Sequence, residues 1–462
     1  MLLPIHKAAG MQGSITLSTA QLPDFRQVYT GYFSDVQFYY VTAETLNDHL
    51  DITAEGPFRI SLDCYEGFSE SLTLTTGDGD IPETRIYVRL FPESTGQFQA
   101  GIVHESDGTT PATLAVSGEG ITTTIPEAYY SSANAGGSRL KTQLHQIISN
   151  HSVQSYASLW THFTATDATF DGKVWDIYSH TPCEEPPYVY TFGEDQDIGF
   201  GGTEEGDVYN REHSMPRSWF GGAVNPMNTD LYHIYPVDKF VNAQRADFPF
   251  GMVNNPGWTS MNGGKLGPNV AGGYFGTAFE PIDDYKGDLA RAFLYMITRY
   301  EDQIETWTYN ESGNAMLDHN KYPGYEPWVI SMLLDWHRSD PVSQRERMRN
   351  QAVYEIQGNR NPFVDYPQFA ERIWADTTLS IQPGPAWIEA SVFPNPARDH
   401  FRIETAAEVL QLEVFSATGR RLIVTNTIPA QTGISISHLP QGVYIIKLHT
   451  RQGVLRRKLV KH

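Results

Sequence analysis

The chain has 462 residues, too many for one ordinary core, so two or three domains are expected. With 40% hydrophobic and 12% aromatic residues it is not a disordered composition, and no run approaches the roughly 18 apolar residues of a spanning helix. A net charge of −21 argues against a general positive field for a polyanionic partner.

That charge is uneven. Residues 1–125 hold five Lys and Arg against sixteen Asp and Glu, residues 126–390 hold eighteen against thirty-four, and residues 391–462 hold ten against four. A nucleic-acid enzyme with so acidic a middle needs a local basic groove. The opening "MLLPIHKAAG" has too short an apolar run for a secretory signal. The expectation is a chain that stays inside the cell, or a start whose first residues are removed or mis-assigned. Cys64 and Cys183 lie far apart in what read as different domains. They predict no disulfide framework and no CxxC zinc site, only two partly buried thiols.

From 14 to 124, short runs such as "SLTLTT", "TRIYVRLF" and "ATLAVSGEG" alternate apolar and polar residues between turns such as "GDGD" and "ESDG". They predict an antiparallel all-β sandwich, a spacer or binding module with no chemical cluster. The region 126–376 changes character, with helical stretches "GSRLKTQLHQIISNH", "GDLARAFLYMITRYEDQIETW" and "SQRERMRNQAVYEI". In the second, Leu289, Ala292, Phe293 and Ile297 recur at helical spacing as a core-facing stripe. Seven of the nine Trp lie between Trp160 and Trp336, which puts the largest core here. Residues 377–390, with "QPGPAW", read as a linker, and 391–462 as a small β-sandwich module with a basic end, "RRKLVKH".

Chemistry concentrates in 209–251, "YNREHSMPRSWFGGAVNPMNTDLYHIYPVDKFVNAQRADFPFG". Alternation across "TDLYHIYP" sets Leu231, His233 and Tyr235 against Asp230, Tyr232 and Ile234, with Pro236 placed to open a helix. In that helix Asp238, Asn242 and Arg245 share one face, while Val237, Phe240 and Val241 face the core. The layout is strand, loop, strand, helix. These residue types suit phosphodiester hydrolysis. Glu212 and Asn242 can offer oxygens to a hard cation such as Mg²⁺, and His213 can take a proton from water near neutral pH. Arg245, Arg217 or Arg211 can grip phosphate oxygens, with Asp230 and His233 behind as supporting residues. An adjacent Glu-His pair is more often an idle charged turn, and strand neighbours point to opposite faces. Both can serve one site only at a bulge, a turn or a strand end.

"YNREHSMPRSWF" followed by "MNTDLYHIYPVDKFVNAQRADFPFG" resembles the bacterial endonuclease I family of secreted or periplasmic non-specific nucleases. "KVWDIYSH", "FEPIDDYKGDLARAFLYMITRY" and "DWHRSDPVSQRERMRNQAVYEIQGNRNPFVDYP" extend the resemblance over about 128–375. It implies a ββα-metal finger inside an α+β domain, with Glu212 and Asn242 holding one Mg²⁺ and His213 as general base. It gives Arg245 phosphate contact or structural support, and it puts Asp247 where many members have Asn. "QGNRNPFVDYP" reads as a turn closing the helical part, and Asp283, Asp284 and Asp288 of "PIDDYKGD" as a solvated helix start. The module 391–462, through "VFPNPARDHFRI", "VFSATGRRL" and "LPQGVYIIKL", resembles the C-terminal sorting domain of type IX secretion cargo. That implies export to the medium or cell surface by the type IX machinery. The N-terminal sandwich is loosely similar to Ig-type modules.

The leading expectation is a secreted, Mg²⁺-dependent endonuclease acting on DNA, with RNA as a further substrate. A second reading is an inactive, surface-attached binding protein on a nuclease-like core. A zinc peptidase is weaker still, because the chain contains no HExxH.

Overall fold

Alternation along the N-terminal strands is what builds the first layer pair. Gln37–Glu44 and His49–Ala54 bury every second residue, so one face of each strand packs inward and the other meets solvent. A computed structural model of the chain describes residues 13–123, 125–307, 310–379, 390–405, 409–416, 421–425, 433–450 and 453–462. In it a four-stranded sheet runs in the order Ser14–Leu17, Gln37–Glu44, Ile81–Leu90, Phe58–Ser61. A five-stranded sheet runs Gln27–Tyr29, Ala112–Ile121, Gly96–Glu105, His49–Ala54, Ser71–Thr75. Val41, Ile52, Phe58, Ile86, Ile102 and Leu114 fill the core of this region. One pairing departs from the antiparallel expectation: Gln27–Tyr29 lies parallel to Ala112–Ile121.

The central region is α+β around one large core that takes in Trp175, Trp219, Trp307, Trp336 and Trp374. Its axis is the helix Lys286–Arg299, which packs on Gly137–Ile148 and Pro327–Ser339. The expected apolar stripe is there, but all fourteen residues of the helix are buried, the charged ones included. Arg291 is tolerated because Glu346 accepts two of its hydrogen bonds at 2.5 Å. Asp288, expected in solvent, is buried 3.6 Å from Arg291. Asp284 accepts a hydrogen bond at 2.9 Å from Tyr65, in the N-terminal loop after Phe58–Ser61. The helix Gln368–Leu379 runs into the expected linker, of which 380–389 fall outside the described residues. Beyond it, two small sheets of three and four strands close over Phe401, Leu412, Val414, Ile446 and Leu459. The "RRK" of the basic end lies in the strand Gly453–Lys461.

The cysteines correct the sequence reading. Cys64 and Cys183 form a disulfide across 119 residues, with a Cα–Cα distance of 5.7 Å. It joins the N-terminal sheets to the segment that leads into the central hairpin. Arg85 donates to the Cys183 carbonyl at 2.6 Å, and further contacts join the same two regions: Arg345 pairs with Asp35 at 2.9 Å, and Phe25 packs on Phe170. In the chain-entropy view, closing so long a loop contributes about 4–5 kcal/mol. Denatured, unreduced protein should therefore show no reactive thiol in an Ellman assay, and Cys64→Ser should expose one and lower the melting temperature. Two reactive thiols in the unreduced protein would contradict the pairing.

Candidate active site

The site rests on a two-stranded hairpin and the helix that follows it. Tyr209–His213 runs antiparallel to Ile234–Asp238, setting Glu212 opposite Tyr235 and His213 opposite Ile234. The second strand starts later than its alternation suggests, because Leu231–His233 forms a 3-10 turn. Asp230 closes that turn by accepting from the Tyr232 N–H at 3.1 Å. Pro236 does not open the helix. It sits inside the strand opposite Arg211, in a sheet whose two strands are both edges and tolerate proline. The helix is Lys239–Arg245. Asp238, expected on its polar face, is instead its N-cap and accepts from the Val241 N–H at 2.7 Å.

Strand alternation puts Asn210 and Glu212 on the face toward this helix. Asn242 is half-buried and donates its Nδ2 to Asn210 Oδ1 at 2.8 Å, which leaves its own amide oxygen as an acceptor. Glu212 is 3% exposed. Tyr178 Oη donates to its Oε1 at 2.8 Å, and Arg245 Nη1 lies 3.2 Å from the same oxygen. Oε2 lies outside both side-chain contacts. Burial raises the Glu212 pKa, against the lowering by Arg245, Tyr178 and the His213 N–H. Of the two roles expected for Arg245, phosphate contact or structural support, its contacts here are those of support. It is 1% exposed, donates to the carbonyls of His213 at 3.2 Å and Ser214 at 2.5 Å, and lies 4.7 Å over the Phe250 ring. Its guanidinium holds the strand end to the helix and presents nothing to a substrate.

His213 leaves the other face of the strand. Its Nε2 lies 3.1 Å from the Asn228 carbonyl, which can only accept, so Nε2 carries the proton and Nδ1 keeps a lone pair. Burial, then the charges of His233, Arg217 and Arg211, push its pKa well below the ordinary histidine value, outweighing the Asn228 carbonyl. The imidazole is therefore neutral near pH 7. The ladder runs without a register shift to His213, the last residue of its strand. Of the three irregularities that let neighbours serve one site, the structure has the strand end. No hydrogen bond joins the His213 ring to Glu212 or Asn242 among the described residues.

Around that ring stand residues from other elements. His233 crosses it edge-on at 5.5 Å, with Nε2 on the Met227 carbonyl at 2.7 Å and Nδ1 buried without a partner. Tyr156 stacks at 6.1 Å and 22°. The Arg211 guanidinium lies 3.7 Å over Tyr156 and 4.2 Å over Trp160, and donates to the Tyr156 carbonyl at 2.8 Å. Arg211 thus braces the site, whereas Arg217 is exposed, 5.9 Å from the Tyr156 ring. Asp247, beyond the helix, accepts from Ser218 at 3.1 Å and from Asn310.

Asp230 is a fully buried hub away from solvent. Its Oδ2 accepts from Tyr295 at 2.9 Å and Tyr300 at 2.8 Å, and its Oδ1 from Gln357 at 3.1 Å. Burial raises its pKa, but His151, His233, Gln357 and Tyr300 outweigh this and hold it below the carboxylate range. "QGNRNPFVDYP" is accordingly the clamp behind the hairpin loop: Gln357 accepts from the Leu231 N–H at 2.7 Å, and Asn359 donates to Tyr295 at 2.7 Å. "KVWDIYSH" does more than pack. Its Asp176 accepts from the Asp238 N–H at 2.9 Å, and its Tyr178 reaches Glu212. The sequence reading missed Asn210, Tyr178 and Tyr156. Asn210 was within reach, two residues before Glu212 on the same strand face. Tyr156 carried no local signal.

Among the described residues no group of three His, Cys, Asp or Glu side chains converges as a metal site. The oxygens of Glu212 and Asn242 are a different donor set, one carboxylate and one amide, suited to a hard cation that keeps water ligands. A buried carboxylate, an amide oxygen and an imidazole at the strand end are groups that a hydrolase can use, and the comparisons give the class as nuclease. The chain belongs to the endonuclease I family: the endonuclease I model matches residues 136–368, and a secretion system C-terminal sorting domain matches 391–462. An extracellular ribonuclease of Bacillus amyloliquefaciens is 34% identical over 285 residues, 56% of this chain and 87% of the relative. One from Bacillus subtilis is 36% identical over 262 residues, 54% and 78% of the two chains. An extracellular deoxyribonuclease of Aeromonas hydrophila is 27% identical over 145 residues, 30% and 50%. No helix among the described residues is long and apolar enough to cross a membrane. With its sorting domain, the chain is an exported nuclease, secreted or held at the cell surface.

Arg245→Met would leave Glu212 buried without its cation. Urea unfolding should show a loss of about 3–5 kcal/mol. A loss under about 1 kcal/mol would contradict the structural role given to Arg245.

Proposed function

We propose that the protein is a non-specific endonuclease that hydrolyses phosphodiester bonds of DNA and also of RNA, with His213 as general base. The observation that carries this is the His213 tautomer: Nε2 faces a carbonyl, so Nδ1 is free to accept a proton. The reading includes a ββα-metal finger at Tyr209–Arg245 with Glu212 and Asn242 as Mg²⁺ ligands. Their unused oxygens fit that ion, and family membership supports it. Mg²⁺ bound there would neutralise charge growing on the phosphate and leaving oxygen.

His213 Nδ1 takes a proton from water as that water attacks phosphorus, and the P–O bond to the sugar oxygen breaks. The leaving oxygen takes a proton from solvent, and the buried imidazolium gives its own to solvent because its surroundings disfavour charge. Tyr178 and Arg245 keep the Glu212 carboxylate oriented, and Asn210 does the same for the Asn242 amide. Arg217, free of other duties, holds phosphate oxygens. The ribonuclease names of the Bacillus relatives support RNA as a substrate beside DNA. Segmentation into an Ig-like domain at 14–124, a catalytic domain at 126–376, a linker at 377–390 and a sorting domain at 391–462 belongs to the same reading.

Wild type should degrade plasmid DNA and total RNA with Mg²⁺ and stop with EDTA, while His213→Ala should lose at least about 100-fold in rate. Degradation that survives His213→Ala would sink the mechanism. Because the His213 pKa is lowered, the base form persists below pH 6.5. The acid limb of kcat/KM should therefore lie below that value, and a limb centred above pH 6.5 would contradict the assignment.

A further inference from the structure

Tyr156 is not needed by the chemistry above, yet it lies against the residue that performs it. Its ring stacks over His213, and it covers Arg211, which shares that strand face two residues earlier. The ring is held firmly. Arg211 is layered between Tyr156 and Trp160, and its Nη1 fixes the Tyr156 carbonyl. Even so, the side chain stays half exposed, and its hydroxyl makes no hydrogen bond among the described residues. The exposed Arg217 guanidinium lies 5.9 Å from the same ring.

A rigid, half-exposed aromatic ring beside a free guanidinium, both next to a general base, matches the two ends of a nucleotide. The guanidinium suits the phosphate and the ring suits the base. Stacking needs no hydrogen-bond code, because every base offers a π face. It also gives an acidic protein a way to hold a polyanion without a broad positive field. The phosphate needs only Arg217, and the rest of the grip is uncharged.

Resting on the nuclease reading, we infer that Tyr156 is the base-stacking subsite of this enzyme, holding the nucleobase next to the phosphate that Arg217 contacts. The recognised ligand is a nucleotide unit with an accessible base, irrespective of sequence. Arg211 and Trp160 are positioning residues for that platform.

The test separates stacking from charge. A short oligothymidylate and an abasic strand of equal length and charge are bound to the full chain in EDTA, with fluorescence anisotropy as the readout. Wild type should prefer the strand with bases by about tenfold, the size of one aromatic–base stack. In Tyr156→Leu the two strands should bind alike, while Tyr156→Trp should keep the preference, which guards against a folding defect in the leucine variant. A wild type that binds both strands equally, or a preference that survives in Tyr156→Leu, overturns the inference even when cleavage is intact. A wild type that neither binds nor cleaves nucleic acid overturns it together with the nuclease reading.

Discussion

One buried guanidinium organises the site. Arg245 is taken out of water almost completely, which is tolerable only if its charge and donors find partners inside. It finds the Glu212 carboxylate and the carbonyls of His213 and Ser214, all at the end of the first hairpin strand. Arg245 closes the same short helix that carries Asn242, so this single contact sets the spacing between helix and strand. At the helix start Asp238 supplies the cap, and Asp176 receives the Asp238 N–H. From the same turn as Asp176, Tyr178 returns to Glu212. Both ends of the helix are thereby tied to the strand that bears Glu212 and His213.

Electrostatics divides the strand into two faces with different work. On the helix face are the buried Glu212 carboxylate and the half-buried Asn242 amide, the oxygens proposed for a cation. On the other, Arg211 and Arg217 lie close to an imidazole that burial keeps neutral. The chain as a whole is strongly acidic, so this small basic and aromatic patch stands out against its surroundings. Behind it, the Asp230 carboxylate and the Gln357–Asn359 turn form a hydrogen-bonded layer against the loop between the strands.

Period and alternation made much of this legible. The N-terminal strands, the helices near 137, 286 and 344 and the paired sheets after 390 all follow from one-dimensional patterns. The proposed site residues Glu212, His213 and Asn242 also come from the sequence, since they lie within a short span of matching motif. What failed were features set by distant partners. The Cys64–Cys183 bond spans 119 residues with no spacing signal. The sequence left Arg245 between phosphate contact and structural support, because its helical spacing from Asn242 says nothing about the strand packed on that side. Asp288 was assigned to solvent for the same reason, its partner Arg291 being buried by helices far along the chain. Tyr156 reaches His213 only through the fold.

The proposed mechanism divides the labour: oxygens of Glu212 and Asn242 hold the cation, and His213 moves the proton. Calorimetric titration of Mg²⁺ into wild type, Glu212→Gln, Asn242→Ala and His213→Ala tests it most directly. His213→Ala should bind the ion as wild type does, while Glu212→Gln and Asn242→Ala should lose binding. Equal binding by all four proteins, or loss of the ion in His213→Ala alone, would contradict it.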